Sequence, residues 1–337
     1  MGGSEHAALN DSIARFTLQN PHVQIRTVAI PFEPFTNKVN VSVPRGNGPD
    51  ILIFAHDPVG DWASKGLIEP LSLWHRADEL RGFTPNTISA FVWQRHLYAY
   101  PLTAKTLGLY YNPKLVSKAP KTTTELVAEV NRLRDRIKIG FAYDLDDLFF
   151  HSAWLYGFKG KLLDGDRVVF AQKDFRQSLK KSIELVRHWA ETGVVPTNLS
   201  FERQKAMFAD GDIAFVMSGS WFRSGLEEET YRVAPLPRIG SADGLEARPF
   251  MSVEGVFVSA FSRNKPVAVQ FSKFLASAEE SANRRNLTGQ VSARGDLSSE
   301  NNSGLSAFQI MTTRAVPTPN SKKMKAMWTP INRLLSE

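Results

Sequence analysis

The residues in this chain with the most chemical promise are the acidic run Asp144, Asp146 and Asp147, followed at once by Phe149 and Phe150. Three carboxylates so close together have the composition of a metal site or of a glycosidase acid pair. Either use needs a second carboxylate set opposite the first, and the sequence fixes none. The seven histidines are scattered, with no pair at i, i+3 or i+4. His56 alone falls at a predicted strand end. The chain lacks a GxSxG elbow, HExxH, a phosphate loop and the dinucleotide GxGxxG. With no cysteine, disulfides, thiolate catalysis and thiolate metal sites are all excluded. The expectation is a protein with no catalytic residues, no metal and no cofactor.

A different pattern recurs four times, in which an aromatic residue at a predicted element end stands beside one polar or charged group. The pairs are Phe54 with Asp57, Asp147 with Phe149, Trp221 with Arg223, and Trp328 with Asn332. A sugar ring offers an apolar face and a rim of hydroxyls, so flat aromatic faces with planar hydrogen-bonding groups suit a carbohydrate. Each ring taken singly has the alternative of packing in a core.

The elements that must hold these residues follow from periodicity. Ser4 to Leu18 has a helical apolar stripe (Ala8, Leu9, Ile13, Phe16), with Ser4 placed to cap it. Val23 to Ile30 alternates as a strand does, and a short helix is expected from Phe35 to Val43. Ile51 to Phe54 reads as a strand buried on both faces. It would deliver His56 and Asp57 to a crevice lip, with Asp57 free to cap the helix Pro58 to Lys65. Leu97 to Pro101 and Leu107 to Tyr111 are two apolar runs separated by Thr103, Lys105 and Thr106, which places Lys105 at a wet boundary between two packed bodies. Beyond it, helices are expected over 123–136, 148–156, 175–191, 201–208, 265–280 and 321–335, with a helix and loop over 283–294. A hairpin is expected over 162–170, strands over 138–143, 213–217, 231–235 and 250–258, and a short helix at 307–313.

At 337 residues the chain is longer than one hydrophobic core usually supports. The formal charge of +7 permits an anionic partner, but the basic residues are dispersed and sit beside no nucleic-acid motif, so no nucleic acid is expected. No apolar run is long enough for a membrane span.

Five ordered segments carry a resemblance. GNGPDILIFAHDPVGDWASKGL from Gly46, LYAYPLTAKTLGLYYNPKL from Leu97, APKTTTEL from Ala119, MFADGDIAFVMSGSW from Met207 and VPTPNSKKMKAMW from Val316 are similar to the extracytoplasmic solute-binding proteins of ABC importers, of the maltose/maltodextrin-binding kind. The resemblance implies a two-lobed α/β fold of the periplasmic-binding-protein type, each lobe a mixed sheet flanked by helices. The lobes would be 1–104 with 257–313, and 105–256 with 314–337, hinged near 103–107, 251–256 and 314–316. It implies a maltose or maltodextrin ligand held in the interlobe cleft, hinge closure, and delivery to the transmembrane subunits of an ABC transporter, either as a separate monomeric domain or fused to them. The implied location is periplasmic or extracytoplasmic.

By the same likeness, Phe54, Asp57, Ser4 and Glu5 line the first lobe, and Asp147, Phe149, Trp221 and Trp328 the second. Lys105 falls at the first hinge, and Arg223 and Asn332 complete the polar set. The family's best-known member has tryptophan at Phe54, arginine at Pro58, glutamate at Lys105, tyrosine at Phe149 and arginine at Asn332, so much of the polar rim differs. The family also begins with a buried strand ahead of the Gly-Gly-Ser-Glu segment and ends with a further helix. On that likeness the chain is expected to be a domain of a longer polypeptide. Another di- or oligosaccharide such as trehalose, and a glycan-acting enzyme using the Asp144–Asp147 loop, are the alternatives left open.

Overall fold

The computed structural model describes residues 3–165, 167–169, 172–297 and 303–336. Positions 166 and 170 of the expected hairpin lie outside the described residues, as do Met1 and Gly2. The described chain divides into two compact units. The first takes residues up to Ala104, Ser252 to 297, and Asn320–Lys322; the second takes Lys105–Met251, 303 to Pro319, and Lys323 onward.

In the first unit the sheet order is Ile51–Ala55, Phe250–Val258, Ala99–Lys105, Val291–Ser292. Ile51 to Ala55 runs antiparallel to Val258 to Glu254, and Val291 pairs with Ala104. The helix Gly3–Gln19 docks through Phe16, whose ring meets Phe271 at 4.8 Å and Phe274 at 5.3 Å. A buried carboxylate fixes the same helix: Glu280 accepts from Ser12 Oγ at 2.5 Å and from Arg15 Nε at 2.7 Å. Burial alone would push that carboxyl up, and the Arg15 and Ser12 bonds outweigh it and hold it below its usual range.

Three expectations change in this unit. Val23 to Ile30 forms no strand; it runs without regular structure, with Val23 and Ile25 packed on the core. Alternation made it amphipathic, and no neighbouring strand takes up its backbone. The first helix begins at Gly3, so Ser4 lies within its first turn and is not its cap. The break between the helices expected over 265–280 and 283–294 falls earlier, between Lys265–Leu275 and Ala278–Thr288, because Ser277 Oγ accepts the Glu280 N–H and caps the second start.

The second unit is built on the strand Ile213–Gly219, buried at every position as its unbroken apolar run requires. It pairs antiparallel with Leu107–Tyr111 and parallel with Ile139–Ala142, and Arg232–Ala234 closes the sheet. Its core gathers Leu107, Phe141, Trp154, Trp189, Phe215 and Met217. A neighbouring cluster around Leu148, Leu155, Phe175, Phe250 and Met324 seats the last helix, Lys322–Ser336. The helix Ser303–Arg314 also packs in the second unit, against Leu107–Tyr111 and Arg232–Ala234, and not in the first lobe as the resemblance implied. The second unit ends at Met251, inside the strand Phe250–Val258, five residues before the expected boundary.

Candidate sugar-binding site

The helix Leu148–Gly157 starts where two side chains meet its free N–H groups. Asp147 Oδ1 accepts the Phe149 N–H at 2.8 Å, and Asn332 Oδ1, from the last helix, accepts the Leu148 N–H at 2.9 Å. A helix start leaves four such donors unsatisfied, so this pair removes two of them and fixes where Phe149 emerges. Burial holds the Asp147 carboxyl above its usual range, assisted by the charge of Asp144 and opposed by the Phe149 N–H.

Phe149 comes within 6.1 Å of Trp221, ring centroid to centroid, with 55° between the planes. Trp221 sits on the short turn Ser220–Arg223 that follows the central strand, and it is 37% exposed. The turn works because residue 219 is glycine. A Cβ there would lie 2.0 Å from Trp221 Cζ3 and 2.2 Å from Cη2, so any side chain would drive the indole off the strand end. Trp328 lies half-buried on the last helix, near-parallel to Phe250 at 6.2 Å and 26°, and it packs on the same apolar cluster as Phe149. The second unit thus places Asp147, Phe149, Trp221, Trp328 and Asn332 around one helix start. Arg223 lies beside Tyr110 and Tyr231, and its charge acts on both phenols, whose protonated forms burial favours.

The first-unit candidates are placed differently. Phe54 is 9% exposed, and its ring packs against Phe35 at 4.3 Å and 6°, Phe32 at 4.9 Å and 23°, and Trp62 at 5.9 Å. Its faces are used within that aromatic group, and Phe32, 66% exposed, is the ring that meets solvent. His56 is fully buried rather than at a lip. Its backbone N–H donates to Val253 O, and its Nδ1 accepts the Val253 N–H at 3.1 Å, so the ring braces the neighbouring strand. Asp57 is exposed and does not cap the helix Val59–Ser64, whose cap position is Pro58 and carries no side-chain bond. Ser4 is exposed, and Glu5 accepts from Gln290 Nε2 at 2.7 Å. Glu5, Gln290, Thr103, Glu254 and Arg284, with Leu9, Ile53 and Leu102, line a small cavity in this unit, where Thr103 Oγ1 donates to Glu254 at 3.0 Å. Lys105 is the first residue of the second unit.

Sequence reading missed the Phe32 and Phe35 pair, which the i, i+3 spacing in FEPF announces once the helix is started at Phe32. It also missed Gln290 and Arg284, which no local pattern marks. Among the described residues no group of three His, Asp or Glu side chains converges as a metal site, and no helix is long and apolar enough to cross a membrane.

The described residues thus form two α/β units, and the second presents aromatic faces beside a carboxylate. The chain belongs to the bacterial extracellular solute-binding protein family, whose profile matches residues 11–302. It is 29% identical to the maltotriose-binding protein of Pyrococcus abyssi over 317 residues, covering 89% of this chain and 68% of that protein. It is 25% identical to the galactooligosaccharide-binding protein of Bacillus subtilis, covering 97% and 80%. The extracellular solute-binding protein of Staphylococcus aureus, solved in complex with maltose, superposes with a TM-score of 0.89 at 24% identity, covering 99% of this chain and 89% of that one. That likeness shows the fold.

Proposed function

We propose that this chain is the substrate-binding component of an ABC sugar importer, that it takes maltose or a maltodextrin, and that it hands the sugar on unchanged. The observation that carries the reading is the Phe149–Trp221 corner beside Asp147. A half-exposed indole set against a second ring supplies a face for the apolar side of a glucose unit, while the Asp147 oxygen that is not capping the helix is available to hydroxyls. Trp328 extends the aromatic surface and Asn332 holds its helix to this corner. Arg223, Asp57, Ser4, Glu5 and Lys105 are proposed as further polar contacts. Phe54 contributes by supporting Phe32 and Phe35. The relatives' names support an oligosaccharide, and the family supports work outside the cytoplasm. The reading is completed by a monomer in the periplasm or at the outer face of the membrane that docks on the transporter's membrane subunits.

Isothermal titration with maltose, maltotriose, trehalose and a galactobiose tests this. Saturable heat with maltose or maltotriose is the expected result. Heat with galactobiose or trehalose alone would move the specificity and keep the class. Release of glucose from bound maltotriose would instead identify an enzyme.

A further inference from the structure

The last helix, Lys322–Ser336, begins in one unit and continues in the other. Asn320–Lys322 belong to the first unit, and the residues from Lys323 on, with Trp328 and Asn332 among them, belong to the second. Its start is tied down. Lys322 Nζ lies 2.6 Å from Asp61 Oδ1, and Lys65 Nζ holds the other oxygen, Oδ2, at 2.7 Å. Burial would push the Asp61 carboxyl up, and the two lysines more than reverse this and keep it ionised. One residue earlier in the chain, Asn320 Nδ2 donates to Ala90 O at 3.0 Å. The Asn320 carbonyl oxygen would be 2.7 Å from a Cβ at residue 60, so Gly60 is what lets this backbone approach. Gly60 and Asp61 are adjacent in the short helix Val59–Ser64, so the Lys322 ion pair and the Asn320 backbone contact meet the same helix, while the Asn320 side chain holds Ala90.

None of these groups belongs to the aromatic corner, and Lys322 is 63% exposed. An ion pair of this exposure contributes only about 0–1 kcal/mol to folding. The folding core does not need it, and an effect on the orientation of one helix is within its reach. A helix whose first turn is loose must be ordered when sugar binds, and that entropy is subtracted from affinity.

We propose that the Asp61–Lys322 pair, with Asn320 seated on Gly60, is a positioning device for ligand binding: it pre-orders the helix that presents Trp328 and Asn332 while touching no sugar itself. The proposal rests on the sugar-binding reading above and adds residues to it that act at a distance.

The test compares Lys322→Met, Asp61→Asn, the double variant and Lys322→Arg. Maltotriose affinity is expected to fall two- to fivefold in Lys322→Met and in Asp61→Asn, no further in the double variant, and hardly at all in Lys322→Arg. The gap from the parent protein should shrink in 1 M NaCl, where the Debye length is about 3 Å. Amide exchange of residues 320–326 in the sugar-free protein should quicken in the same two variants while the thermal midpoint stays within about 2 °C. The exchange measurement needs no ligand, so it judges the anchor even if maltotriose proves to be the wrong sugar. Parental exchange at 320–326 in both variants, or parental affinity in both beside a parent that binds, overturns the proposal. So does a general loss of protection with a collapsed midpoint, which would make the pair a fold contact only.

Discussion

Asn332 Oδ1 accepts the Leu148 N–H at 2.9 Å, so a residue of the last helix completes the start of the helix that presents Phe149. One bond holds two of the proposed stacking residues, Phe149 and Trp328, in register, because Trp328 lies one helical turn before Asn332. Asn332→Ala leaves the Leu148 N–H without that acceptor. The expected cost is about 1 kcal/mol, seen as a thermal midpoint lower by roughly 2–4 °C, together with weaker sugar binding. A differential scanning measurement beside a titration checks both, and Asn332→Asp, which keeps the acceptor, should retain most of each.

Gly219 separates stacking from stability. Its Cβ position is occupied by the Trp221 indole, and Trp221 is exposed enough to swing outward. Gly219→Ala should therefore leave the fold intact and move the ring into water. The expected result is red-shifted tryptophan emission, a midpoint within a few degrees of the parent, and maltotriose affinity reduced by at least tenfold.

His151 sets an acid limit. The ring is buried in the helix Leu148–Gly157, Nε2 meets Ser182 Oγ at 2.9 Å, and Nδ1 finds no partner among the described residues, so burial pushes its pKa down to about 4 from an ordinary 6.5. Above pH 6.5 both folded and unfolded chains carry the neutral ring, and the site costs nothing. As pH falls from 6.5 to 4 the unfolded chain takes up a proton that the folded one refuses, so stability is lost over that window, by about 3 kcal/mol in all. Chemical denaturation at pH 7, 6, 5 and 4 should show the decline, and His151→Gln should flatten that part of it.

Particular residues show what the sequence could carry. The strand Ile213–Gly219 and its tryptophan turn were legible because an unbroken apolar run ending in Ser-Gly-Ser-Trp leaves little else to form. Asp147 was legible as the polar group beside Phe149, though its cap role appears only with the Phe149 N–H in place. Phe54 misled for a physical reason. Its place at a strand end is local information, whereas the Phe32 and Phe35 rings that cover it come from another element. His56 misled in the same way, since the strand end gave its position and the neighbouring strand's Val253 turned its ring inward. Val23 to Ile30 has the alternation of a strand, and alternation fixes which side chains face the core without supplying a pairing partner.

The central claim is that Trp221 forms the stacking face for a sugar. Titrating maltotriose into the parent protein and into Trp221→Ala, with tryptophan emission and calorimetry read together, addresses it most directly. Because the residue is half-exposed, the variant should melt close to the parent. The account predicts saturable binding with an emission change in the parent, and affinity lowered by tenfold or more in the variant. Equal affinity in both proteins would contradict it.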